Sequence, residues 1–183
     1  MSQIQSPTPG VLSTNLHLLE QGFELIGRVP RAAYAEVGAD GAKPVGPHFR
    51  HVLEHYSRFL AGVESGRVDY DARAREQAIE VDPEAARQRI RELIGGLTTL
   101  DGRDLERAAE VRLECGIGDE SQQWSRSTLR RELQFLLSHT VHHYALIGLL
   151  LAQRGVDPGP DFGVAPSTLK HWRSQAQCAP QPG

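Results

Sequence analysis

Residues 127–154 read STLRRELQFLLSHTVHHYALIGLLLAQR, and the spacing of the apolar side chains in this stretch decides the fold. Leu136, His139, His143, Leu146, Ile147 and Leu150 recur at the intervals of one helical face, and Gly155 followed by Pro158 supplies the stop. The spacing predicts a long helix over 127–154, opened by Ser127. Each helical residue turns by about 100°, so His139 and His143 stand about 40° apart, one turn along the axis, within the apolar stripe. His142 lies about 100° from His143 and belongs at the margin as a bystander. Two imidazoles at i and i+4 can hold one cation. Thr140 stands where an H-E-x-x-H metalloprotease helix needs its Glu, which excludes that class.

Three more helices are expected. Leu16, Leu19, Phe23 and Ile26 predict one over 14–28, with Ser13 as its cap. Val45, Val52, Tyr56, Phe59 and Val63 predict a second over 45–65, with Pro47 in its first turn. Ala86, Ile90, Leu93, Ile94 and Leu97 predict a third over 83–100, opened by Asp82-Pro83 and closed by Asp101-Gly102. The fold class is therefore all-α: a four-helix bundle with a long crossover between the second and third helices. Alternation around Ala109, Val111 and Leu113 predicts a short strand or hairpin arm within Glu106–Cys115, before the fourth helix. The Arg- and Asp-rich stretch Gly66–Glu80 reads as a solvated linker. Phe162 and Trp172 are apolar enough to dock the tail on the body. A single domain over 12–174 is expected, with flexible ends at 1–11 and 175–183.

Histidine is the unusual residue. Six of eight fall in two clusters: His48, His51 and His55, and His139, His142 and His143. The first three span an arc of about 60° at the edge of the second helix's stripe, so any one of them could reach inward. One imidazole from that helix with the pair from the fourth would make three neutral donors and an open position, the pattern of a catalytic zinc. A single core-facing His is more often a hydrogen-bonded packing residue, but two clusters on neighbouring helices weaken that reading.

Glu132 lies on the arc of His139 and His143, two turns earlier. A buried pair with Arg73 or Arg75 is the preferred reading; a surface carboxylate favoured by the helix dipole is an equal rival, and a general base a remote one. Tyr56, Tyr70 and Tyr144 could each donate a proton near a bound ligand, although a core aromatic is the simpler reading of any one. Cys115 has no evident base or helix dipole to activate its thiol.

Composition limits the partners. Twenty Lys and Arg against twenty-three Asp and Glu leave a net charge of −3, without the electrostatic footprint of a nucleic-acid binder. Only Lys43 and Lys170 are lysines, so the positive charge is nearly all guanidinium, suited to forked contacts with small anions. Two cysteines make no disulfide framework and point to the cytoplasm. The polar N-terminus does not read as a signal peptide, and the apolar run Tyr144–Ala152 is too short to span a bilayer, so no membrane is expected.

PVGPHFRH at 44–51, SHTVHHY at 138–144 and Gly155-Val-Asp-Pro resemble the DinB/YfiT-like superfamily of four-helix metal-binding bundles over roughly 12–158. The resemblance implies a ligand near the start of the second helix and an H-x3-H pair in the last long helix: His51, His139 and His143. His48, His55, Glu132 and Tyr144 remain accessory candidates. The expected cofactor is a divalent metal, zinc or nickel. Members of that superfamily include thiol-dependent isomerases and transferases, metal-dependent hydrolases and the N-terminal domain of ergothioneine synthases. The resemblance thus implies a metal-dependent enzyme, a low-molecular-weight thiol transferase or a hydrolase, acting on a small molecule such as a thiol or small anion. A non-catalytic ligand-binding bundle with a vestigial site is the alternative, and a homodimer is left open. Segments 46–51, 70–75 and 162–169 resemble a branch without assigned activity. Tyr144-Ala145-Leu146 replaces the H-R-G-Q continuation common after the last ligand, and helical phase sets His48 and His55 nearer the stripe's centre than His51.

Overall fold

A computed structural model describes residues 10–39, 41–100, 104–114 and 123–178, the side chains of 176–178 excepted. In chain order the elements are α1 (Val11–Arg28), α2 (Arg31–Ala35), α3 (Gly46–Val63), β1 (Arg67–Asp69), α4 (Gln77–Val81), α5 (Pro83–Thr98), β2 (Ala108–Arg112), β3 (Ser125–Thr128), α6 (Leu129–Ala152) and α7 (Pro166–Cys178). The four long helices α1, α3, α5 and α6 form the expected bundle, α1 and α3 each packing on both α5 and α6. Leu19, Leu25, Val52, Phe59, Ile90, Leu97, Leu133, Leu136 and Ile147 fill its centre. Removing such side chains from water is the main force that holds the helices together.

The helix ends are set by local chemistry. Asp82 caps α5 as expected, its carboxylate accepting from Glu84 N, with Pro83 in the first turn. Ser13 is not a cap: α1 begins two residues earlier, and the Ser13 hydroxyl donates back to Gly10 O. Ser127 does not open α6 either. Residues 125–128 are extended, and Thr128 caps the helix by accepting from Arg131 N. Gly155 adopts φ 68° just past α6, a left-handed conformation that suits glycine at a helix end.

The minor hairpin is present as β2 and β3, antiparallel with Ala109 opposite Ser127, but the sheet has a third strand. β1 pairs with β2 in parallel, Val68 beside Val111, giving the order β1-β2-β3. This overturns the solvated-linker reading of 66–80. Val68, Tyr70 and Ile79 are buried, and Tyr70 N donates to Arg112 O, so the crossover is pinned to the body. Asp101, Gly102 and Cys115 lie outside the described residues.

In the tail, Phe162 packs as expected, stacked on Tyr144 with ring centres 4.4 Å apart. Gly163 permits this approach. Its φ is 73°, and a Cβ there would lie 2.6 Å from Ala145 N. Trp172 does not pack on the bundle. It is 50% exposed on α7, where residues 170–175 all face solvent, because little of that helix meets the body. Residues 175–178 continue α7; 1–9 and 179–183 lie outside the described residues. By length and composition the whole of α6 could cross a membrane, so the argument from the short run Tyr144–Ala152 does not hold. Its face carrying Leu133, Leu136, Ile147 and Leu151 is buried within this fold.

Candidate metal centre

α3 and α6 lie side by side and bring five of the clustered histidines together. His51, His139 and His143 each offer a ring nitrogen, all within 4.8 Å of one another. Their ring centres are 4.6–4.9 Å apart. His51 Nε2 and His139 Nε2 face each other at 3.1 Å. Two nitrogens bonded to one tetrahedral Zn²⁺ at 2.0–2.1 Å stand about 3.3 Å apart, so this separation needs little adjustment. Three ring nitrogens so placed fit a divalent cation of borderline softness, for which three imidazoles are an ordinary donor set. His139 Nδ1, the nitrogen that does not face His51, is buried without a hydrogen-bond partner.

The fourth-helix pair sits at the edge of the core stripe, which is centred on Leu136, Thr140 and Tyr144, so both rings are half-buried. His142 is exposed, as expected of a bystander. His48 supports the cluster from its rim, with its Nδ1 3.0 Å from His143 Nδ1. His55 is 3% exposed, and its Nδ1–H donates to His51 O one turn back on α3. It therefore holds the backbone beneath His51. Its other face stacks on Tyr70, and Phe135 stacks on His139, each with ring centres 5.5 Å apart. Phe135 drew no attention in the sequence, although it lies one turn before His139 on the same face.

Burial keeps these rings neutral. It pushes His51 down to about 3, helped by His55, His143, Arg73 and Arg50, and His139 down to about 2, helped by His55, His143 and His51. His143 falls to about 4, by burial and then His48 and His142. His55 also falls to about 4, burial outweighing its bond to the His51 carbonyl, and His48 is lowered mainly by burial. A neutral imidazole keeps a lone pair free for a metal.

Two accessory expectations are corrected. Glu132 is buried, 5% exposed, but its partner is Ser127, whose hydroxyl donates to it across the start of α6. Neither Arg73 nor Arg75 reaches it. Arg73 turns to His51 instead, Nη1 donating to Nδ1 at 2.6 Å, and Arg75 is exposed with φ 53°. Glu132 and burial together hold the neighbouring Tyr70 hydroxyl protonated, burial being the larger cause. Tyr144 is fully buried away from the imidazoles. Its hydroxyl donates to Leu18 O on α1, and burial pushes its pKa far up, so it packs the core and donates no proton at the site. Tyr56 serves the core likewise, donating to Asn15 Oδ1.

The family model described as the DinB superfamily matches residues 20–147. The chain belongs to the DinB superfamily. Within the described residues its bundle carries the family's mainly helical architecture, and its three-His cluster is compatible with metal binding. The chain is also similar to FK506-binding protein 5 of Rhizopus delemar, with 31% identity over 108 residues, 59% of this chain and 28% of that protein. It thus spans about a quarter of that relative's length. No solved structure matches it significantly.

Proposed function

We propose that this DinB-superfamily chain is a divalent-metal-dependent enzyme whose ligands are His51, His139 and His143, with zinc or nickel as the metal. The observation that carries the reading is the set of three neutral ring nitrogens within 4.8 Å of one another, contributed by two neighbouring helices. A cation held by three imidazoles keeps a fourth position open and lowers the pKa of a water or thiol that binds there, supplying a nucleophile at neutral pH. The protein's own groups prepare that position. His48 orients His143, His55 fastens the backbone under His51, and Tyr70 and Phe135 wall the rings from water. Family membership favours transfer involving a low-molecular-weight thiol, with hydrolysis second. The substrate would be a small molecule and the location the cytoplasm.

Metal analysis of tag-free protein, followed by thiol consumption assays on the zinc- and nickel-loaded forms, tests this. Stoichiometric metal that is lost in His139→Gln, together with turnover of a thiol or hydrolysable substrate, supports the reading. The mutual contacts of the rings also suit a non-catalytic bundle, which predicts metal-independent ligand binding that survives His139→Gln and His143→Gln.

A further inference from the structure

Arg73 lies in the crossover and belongs to neither helix of the three-His cluster, yet its guanidinium stands against that cluster. Nη1 donates to His51 Nδ1 at 2.6 Å, and Nε is buried without a hydrogen-bond partner. No ion pair engages it among the described residues, whereas Arg50 and Arg89, also around α3, pair with Glu80 and Glu76. A guanidinium only donates and stays charged, and a neutral imidazole carries one N–H and one lone pair. The contact therefore commits the Nδ1 lone pair of His51 to Arg73 and puts the ring proton on Nε2, the nitrogen facing His139.

A metal ion also needs a lone pair from His51. If it takes Nδ1, it displaces Nη1 directly. If it takes Nε2, the proton moves to Nδ1, which then meets Nη1 donor against donor. On either nitrogen, Arg73 and the cation exclude each other, and two positive charges at this distance also repel. The segment bearing Arg73 cannot carry it far. Tyr70 is buried and stacked on His55, and Glu76 N donates to the buried Glu54 carboxylate.

Resting on the metal reading above, we propose that cation binding releases Arg73 from His51, and that the freed guanidinium then anchors the anionic group of the substrate beside the open coordination position. The substrates are accordingly small carboxylates or similarly charged molecules, for which a guanidinium fork is the complementary partner.

Co²⁺ and acetate serve as probes. Removing Arg73 should tighten Co²⁺ binding by about ten- to a hundredfold, since a charged hydrogen bond no longer competes. In the Co²⁺-loaded protein, acetate should perturb the visible absorption of wild type at concentrations at least about tenfold lower than in the variants, which lack the fork. Calorimetric titration of wild type, Arg73→Ala and Arg73→Gln gives the first quantity, and absorption spectroscopy the second. Long-range ¹⁵N NMR of His51 should find its proton on Nε2 in demetallated wild type, a preference lost in both variants. Equal Co²⁺ affinity in all three proteins overturns the release of Arg73, and equal acetate sensitivity overturns its role as anchor. Failure of all three to bind Co²⁺ overturns the metal reading itself, and this inference with it.

Discussion

Gly22 on α1 faces Tyr144 on α6, and the pair tests whether that tyrosine is a packing residue. A Cβ built on Gly22 falls 2.2 Å from Tyr144 Oη, 3.2 Å from its Cζ and 3.5 Å from Phe49 Cε1. The ring has little room to retreat, since Phe162 stacks on it at 4.4 Å and Phe49 packs against it at 6.0 Å. In an open helix Gly→Ala would stabilise by about 1 kcal/mol. Overpacking costs about 1–3 kcal/mol, and an approach of 2.2 Å belongs in the upper half of that range, at about 2–3, so Gly22→Ala should destabilise by about 1–2 kcal/mol on balance. Tyr144→Phe removes the colliding oxygen along with its bond to Leu18 O, and alone should cost about 1 kcal/mol. In the Tyr144→Phe background the remaining contacts give by a few tenths of an ångström, and adding Gly22→Ala should be close to neutral. Urea unfolding of the four proteins should therefore return a coupling of about 1–2 kcal/mol. An equal cost of Gly22→Ala in both backgrounds would refute the packing of α1 on α6 described above.

Stability should fall with pH in a direction the imidazoles dictate. His51, His55, His139 and His143 have folded pKa values below the ordinary 6.5, so from about pH 6.5 down towards 4 the unfolded chain binds protons that the folded chain refuses. Each such group contributes at most about 1.4 kcal/mol per pH unit, and less where solvent screens a half-buried ring. Urea unfolding should show full stability above pH 7 and a loss of about 1 kcal/mol or more by pH 5.5; a flat profile from pH 7.5 to 5 would contradict it. Asn15 is buried on α1, its amide donating to Val11 O and to Leu133 O on α6 while its oxygen accepts from Tyr56. Asn15→Ala should cost about 2–4 kcal/mol, and a shift under about 0.5 kcal/mol would remove this network from the account.

The bundle was legible because α1, α3, α5 and α6 each repeat apolar residues at helical spacing over about three turns or more. The i, i+4 relation of His139 and His143 follows from that regularity alone. The choice among His48, His51 and His55 does not, since helical phase resolves an arc but not which nitrogen meets a partner helix. Phase also misjudged depth. It set His139 and His143 inside the stripe, whereas Thr140 and Tyr144 take the centre and the imidazoles its edge. The crossover was the least readable segment. β1 is three residues long, and its partner β2 lies about forty positions on, so neither periodicity nor charge revealed the pairing. Once β1 is fixed, Arg73 points to His51, and Glu132 finds Ser127 in its own neighbourhood. A residue in an irregular segment takes its direction from tertiary contacts, which no local pattern records.

In the function proposed for this chain, α3 and α6 share one divalent cation. Anomalous diffraction at the zinc edge, from crystals of tag-free protein loaded with Zn²⁺, tests it most directly. A single strong peak is expected between the two helices, about 2.0–2.1 Å from one ring nitrogen each of His51, His139 and His143. No peak within reach of these three rings, or a peak held by His48 or His55 in place of His51, would contradict it.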